Sequence, residues 1–174
     1  MGTGVGSERM KSFVKQYGTV LGGLLIFVGF SLSTPYFFTT HNVLMILRQM
    51  SMLTMVSLGF TFVMAAGGFD MSIGYAMGLV SVFFGTVLNV TGSLLLATLT
   101  GLGLGIAVGA VNGLLVAYLH LPDFIATFAV GSMTLGAKML YSGGHPIFLR
   151  QPPEAFRVIG RGFLGPIPVP VIIM

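Results

Sequence analysis

The chain has 174 residues, 55% of them hydrophobic and 7% charged, with a formal net charge of +4. Soluble domains carry about 25% charged residues, so this chain lacks the polar surface of a water-soluble globule and reads as an integral membrane protein. It contains no cysteine, which excludes disulfides, thiolate nucleophiles and thiolate metal sites, and its thinly spread basic residues point to membrane topology rather than nucleic-acid binding.

A helix that crosses the hydrocarbon core needs about 20 mostly apolar residues. The first such run is Tyr17 to Ser33. The segment before it, residues 1–16, carries Arg9, Lys11 and Lys15, and basic flanks of this kind face the cytoplasm. Ser31-Leu32-Ser33 mimics a small-x-small cleavage site, so a signal peptide competes with a retained helix. The membrane-like character of the whole remaining chain favours the retained helix. Thr34-Pro35 then breaks the run, because the residue before proline is driven out of the helical region.

The second run, Val43 to Ala66, stops at Gly67-Gly68. The third spans Met71 to Val90 with Asp70 at its start, the fourth Leu94 to Leu119, and the fifth Phe124 to Tyr141, ending at Ser142-Gly143-Gly144. A polar stretch, His145 to Gly162, holds Arg150, Glu154, Arg157 and Arg161. A sixth apolar run starts near Ile167, with prolines placed as at the start of a helix. The expected fold class is all-α: a polytopic transmembrane helix bundle of about five to six membrane helices, some broken or short. Residues 17–174 form its membrane domain. A helix start with no helix behind it is expected of the N-terminal part of a longer protein. Counting crossings from a cytoplasmic N-terminus puts the His120–Asp123 loop in the cytoplasm and the Gly143–Gly165 loop outside. There Arg150, Arg157 and Arg161 run against the positive-inside trend.

Four glycines, Gly101, Gly105, Gly109 and Gly113, share one face of the fourth run. Three successive GxxxG steps let another backbone approach closely, so this face is expected to be a helix-packing seam, most simply an internal one. Asn112 lies beside it and can hydrogen-bond across it. Asp70 lies within Gly67-Gly68-Phe69-Asp70-Met71-Ser72-Ile73-Gly74. Intramembrane carboxylates are costly and usually functional, yet Asp70 or Ser72 can also cap the third helix by accepting its unpaired amide protons. Arg48, inside the second run, either snorkels to the interface or lines a polar cavity; Lys138 near the end of the fifth can snorkel in the same way. Asp70, Asn112 and Arg48 are thus candidates for a substrate pathway.

No HExxH, GxSxG or Walker loop occurs, and the three histidines, at 41, 120 and 145, are far apart. No catalytic or metal-binding set is therefore expected, and any energy source must come from a partner.

Several stretches together resemble the membrane-spanning permease subunits of bacterial ABC importers for ribose and related sugars. They are Ser33-Thr34-Pro35-Tyr36-Phe37-Phe38-Thr39, the Gly67–Gly74 motif, Gly109-Ala110-Val111-Asn112-Gly113, Pro122-Asp123-Phe124-Ile125-Ala126-Thr127, and Ser142-Gly143-Gly144-His145-Pro146-Ile147. The resemblance implies alternating access in the inner membrane. It also implies a second permease subunit in a homo- or heterodimer, a cytoplasmic ATPase subunit that binds the ATP, and a periplasmic sugar-binding protein. On that reading Arg150, Arg157 and Arg161 are candidate docking charges for the binding protein. The alternative is an ATP-independent secondary transporter half or small channel. It is weakened because such carriers relay ions through intramembrane carboxylates and only Asp70 qualifies.

Overall fold

The computed structural model describes residues 4–174, with side chains from residue 13 onward; the side chains of Arg9 and Lys11 lie outside the described residues. The elements in order are α1 Gly4–Ser33, α2 Thr40–Ala65, α3 Ile73–Thr91, α4 Leu94–Gly113, a π-helical turn Leu114–Tyr118, α5 Asp123–Ser142, α6 Glu154–Arg161, β1 Phe163–Leu164, β2 Ile167–Pro168 and α7 Val169–Ile173. Among the described residues, five helices are long and apolar enough to cross a membrane. The all-α reading holds, with one short antiparallel hairpin added where Gly165, at φ +62°, turns β1 onto β2.

The chain divides into two compact units, residues 1–47 and 48–174. In the first, the turn after α1 is built from rings: Phe27, Phe37 and Phe38 meet edge to face at centroid distances of 5.2–5.9 Å. Asn42 donates its side-chain amide to the Phe37 carbonyl (2.8 Å), tying the turn to the start of α2. The segment expected to precede the membrane, residues 1–16, is already helical from Gly4.

The second unit is organised around α3, which packs on both α4 and α5. Its buried aliphatic side chains, Leu79, Leu88, Ala97, Ala126 and Val130, come from these three helices, and Pro168 and Pro170 are buried beyond them. Close approach is carried by small residues, as in membrane bundles generally. A Cβ on Gly131 of α5 would lie 2.6 Å from the Tyr75 ring and 3.3 Å from the Ser72 Cα. Most large apolar side chains instead point outward; Leu140 is 89% exposed and Ile106 71%. That surface is suited to lipid tails rather than water.

Two boundaries differ from expectation for physical reasons. The fourth run does not stay α-helical to Leu119: from Leu114 it widens into the π-helical turn, closed by Leu119 N–H donating to the Leu114 carbonyl (3.1 Å), and His120 follows at φ +53°. The polar stretch 145–162 is packed on α3 and not free. Asn89 of α3 donates to the Phe148 carbonyl (2.9 Å) and accepts the Arg150 amide (3.0 Å). The Phe156 ring of α6 packs on Phe84 of α3 at 5.5 Å.

Candidate functional site

The segment between α2 and α3 lacks regular structure, yet most of its amides have partners. Gly67, at φ +81°, ends the chain's run out of α2. The amide of Phe69 donates to the Asp123 carboxylate (2.5 Å), and that of Met71 to the Thr127 hydroxyl oxygen (3.0 Å). Asp123 and Thr127 sit one turn apart on α5, and Thr127 also donates to the Asp123 carbonyl (2.7 Å). The first turn of α5 therefore acts as a clamp on non-helical backbone, which membrane proteins tolerate only where it is held by protein or lines a cavity.

Asp70 does not cap α3 in the expected way. Ser72 occupies the N-cap position and makes no side-chain cap bond. The Asp70 carboxylate turns back to accept both the amide and the hydroxyl of Ser72, each at 2.7 Å. With its proton committed to Asp70, the Ser72 oxygen accepts the side-chain amide of Asn112 (2.7 Å). The result is a polar relay, Asn112 to Ser72 to Asp70, joining α4 to the start of α3. Ser72 is 1% exposed and Asn112 8%, and the Asn112 Oδ1 has no hydrogen-bond partner.

This relay borders an open groove of about 520 Å³ between α3 and α4, whose walls include Ile73, Ala76, Met77, Val80, Gly101, Gly105 and Gly109. Within this chain the glycine face is packed only in part. Only Gly101 is pressed against α3, where a Cβ would meet Val80 Cγ1 at 3.2 Å; Gly105, Gly109 and Gly113 have no other atom within 4 Å of such a Cβ. One helix face thus serves as a packing seam at Gly101 and as the open side of a groove beyond it.

Of the three expected pathway residues, Asp70 and Asn112 come together and Arg48 does not. The Arg48 guanidinium lies over the Phe163 ring (5.3 Å to the centroid), and its Nη2 donates to the Arg161 carbonyl at 3.5 Å. It binds the hairpin segment instead of snorkelling free. Its Nε is buried without a partner. Arg157 and Arg161 line a second cavity, of about 780 Å³, whereas Arg150 is exposed and not among that cavity's walls. Asp123 and Thr127 entered the sequence reading only within the Pro122–Thr127 stretch and without a role, since Asp123 reads as a loop residue. Their i, i+4 spacing after Pro122 was the available signal.

A family model described as the permease component of branched-chain amino acid transport systems matches residues 42–145. The chain is 32% identical over 146 residues to a ribose import permease protein of Haemophilus influenzae, covering 83% of this chain and 45% of that protein. It is 32% identical over 161 residues to the ribose import permease protein of Bacillus subtilis, covering 92% and 50%. An L-arabinose ABC transporter permease protein of Azospirillum brasilense is 29% identical over 153 residues, covering 87% and 44%. The chain spans about half the length of the curated relatives it matches. No solved structure matches it.

Proposed function

The chain belongs to the permease-component family of branched-chain amino acid transport systems, and from that premise we propose that it serves as the membrane-spanning subunit of an ATP-driven importer. Its cargo on this reading is a ribose-like pentose or a related monosaccharide, moved across the inner membrane by alternating access. The N-terminus faces the cytoplasm. A cytoplasmic ATPase binds the ATP, a periplasmic sugar-binding protein delivers the sugar, and a second permease subunit completes the pathway. The names of the ribose and arabinose relatives support the sugar class.

The observation that carries the reading is the relay from Asn112 through Ser72 to Asp70 on the wall of an open groove. A sugar presents hydroxyls that both donate and accept, and the Asn112 Oδ1 is an acceptor with no partner of its own. The apolar walls hold no competing charge, so a neutral polyol meets no desolvated ion except the carboxylate already engaged by Ser72.

Uptake of labelled ribose and arabinose by cells carrying the complete transport system tests this. Asn112→Ala is expected to cut uptake roughly tenfold at normal protein level, the effect of one lost buried hydrogen-bonding group. Asp70→Asn keeps an acceptor for Ser72 and is expected to retain most uptake, whereas Asp70→Ala is not. Full uptake by Asn112→Ala would remove the groove from the pathway.

A further inference from the structure

The cavity lined by Arg157 and Arg161 has no part in the groove just described. Its level in the membrane follows from α3, whose 19 residues rise about 28 Å, close to the ~30 Å hydrocarbon core. Asn89 fixes the strand at Phe148 and Arg150 about 3 Å from the Thr91 end of α3, and Phe84 holds Phe156 about 10 Å from it. The cavity's Phe148 and Phe156 walls thus occupy the layer in which acyl chains meet headgroups.

The chemistry of its walls is divided. Met52, Phe148, Leu149 and Phe156 supply apolar surface, and Arg157 and Arg161, one helical turn apart on α6, supply two guanidinium groups. Glu154 is the one carboxylate among the lining residues. Arg48 adds a third guanidinium at the back of the Arg161 backbone, with its Nε unpartnered. An apolar chamber with an excess of fork-shaped cationic donors suits an oxyanion attached to a hydrocarbon body. Guanidinium groups pair with phosphate bidentately.

We propose that this cavity is a binding site for a phosphate group, carried by an anionic membrane phospholipid whose acyl chain lies along the apolar wall. A soluble phosphate shares the headgroup chemistry but has no use for that wall.

The purified chain in detergent, titrated with dioleoylphosphatidylglycerol, dioleoylphosphatidylcholine or inorganic phosphate and read by native mass spectrometry, tests the site. The anionic lipid is expected to bind in preference to the zwitterionic one. Each membrane-proximal cation contributes about fivefold, so Arg157→Gln and Arg161→Gln each weaken phosphatidylglycerol binding by that factor and together by about 30-fold. Arg150→Gln, outside the cavity, leaves it unchanged. Helicity by circular dichroism checks folding, and the single variants carry the test if the double variant loses helix. Arginine-dependent binding of inorganic phosphate without preference between the lipids supports the phosphate site and assigns it to a soluble ligand. Binding that ignores Arg157 and Arg161, or that falls equally with Arg150→Gln, overturns the site.

Discussion

Two stretches of this molecule leave the helical pattern, at opposite ends of α3, and they are held in different ways. The Gly67–Ser72 segment is tied by polar side chains from neighbouring helices: Asp123 and Thr127 accept its amides, and Asn112 donates its side-chain amide to the Ser72 oxygen. Residues 145–168 lean on rings and one long cation, through Phe156 on Phe84, Arg48 over Phe163, and the Asn89 bonds to the backbone. Backbone that must stay in one conformation beside a groove is held by short, directional bonds. Residues 145–168 are held mainly by ring and cation contacts, with Asn89 supplying two directional bonds at one point. The difference teaches that irregular structure in a membrane domain reads according to what satisfies its amides, not according to its polarity.

The largest test of that contrast removes the clamp. Asp123→Ala leaves the Phe69 amide without its charged acceptor and is expected to cost about 2–3 kcal/mol in thermal unfolding. Hydrogen exchange should accelerate at Phe69 and Met71 while residues 145–168 keep their protection; unchanged exchange at Phe69 would break the comparison. Arg48→Ala should do the reverse for about 1 kcal/mol, the order of one cation–π contact and a long hydrogen bond. Exchange then rises across 161–168 and not at Gly67–Ser72, and Arg48→Lys recovers part of it. Thr127→Val, which deletes the acceptor for Met71 together with the hydroxyl's bond back to the Asp123 carbonyl, is expected to cost about 1 kcal/mol and to loosen the same segment as Asp123→Ala. The smallest effect belongs to Gly105→Ala. Its new Cβ meets nothing within 4 Å, so stability should stay level or rise by up to about 1 kcal/mol through helix propensity, while Gly101→Ala presses on Val80 and loses stability.

Much of the architecture was legible in the residues themselves. Runs of apolar residues long enough to span lipid, stopped by Thr34-Pro35, Gly67-Gly68 and Gly143-Gly144, locate all five spanning helices to within a few residues of their observed ends, apart from the extension of α1 back to Gly4. The reason is that lipid forces every backbone group in a span to bond within its own helix, so length, hydropathy and breakers decide the outcome locally. Asp70 and Asn112 were also readable as candidates, because a carboxylate or amide inside such a run is costly enough to need a purpose.

What those residues do was decided only by packing. Asp70 turns to Ser72, and Ser72 in turn meets Asn112 from 40 residues away. Whether a glycine face is a seam or a groove wall depends on how far α3 follows α4 past Gly101. Asp123 looks like a loop residue until Phe69, 54 residues earlier, is brought against it. Residues 145–162 look like an unpacked polar loop until Asn89 and Phe84 draw them onto α3. In each case the partner is remote in sequence, and a periodic pattern carries information about a helix's own faces but none about which distant group will meet them.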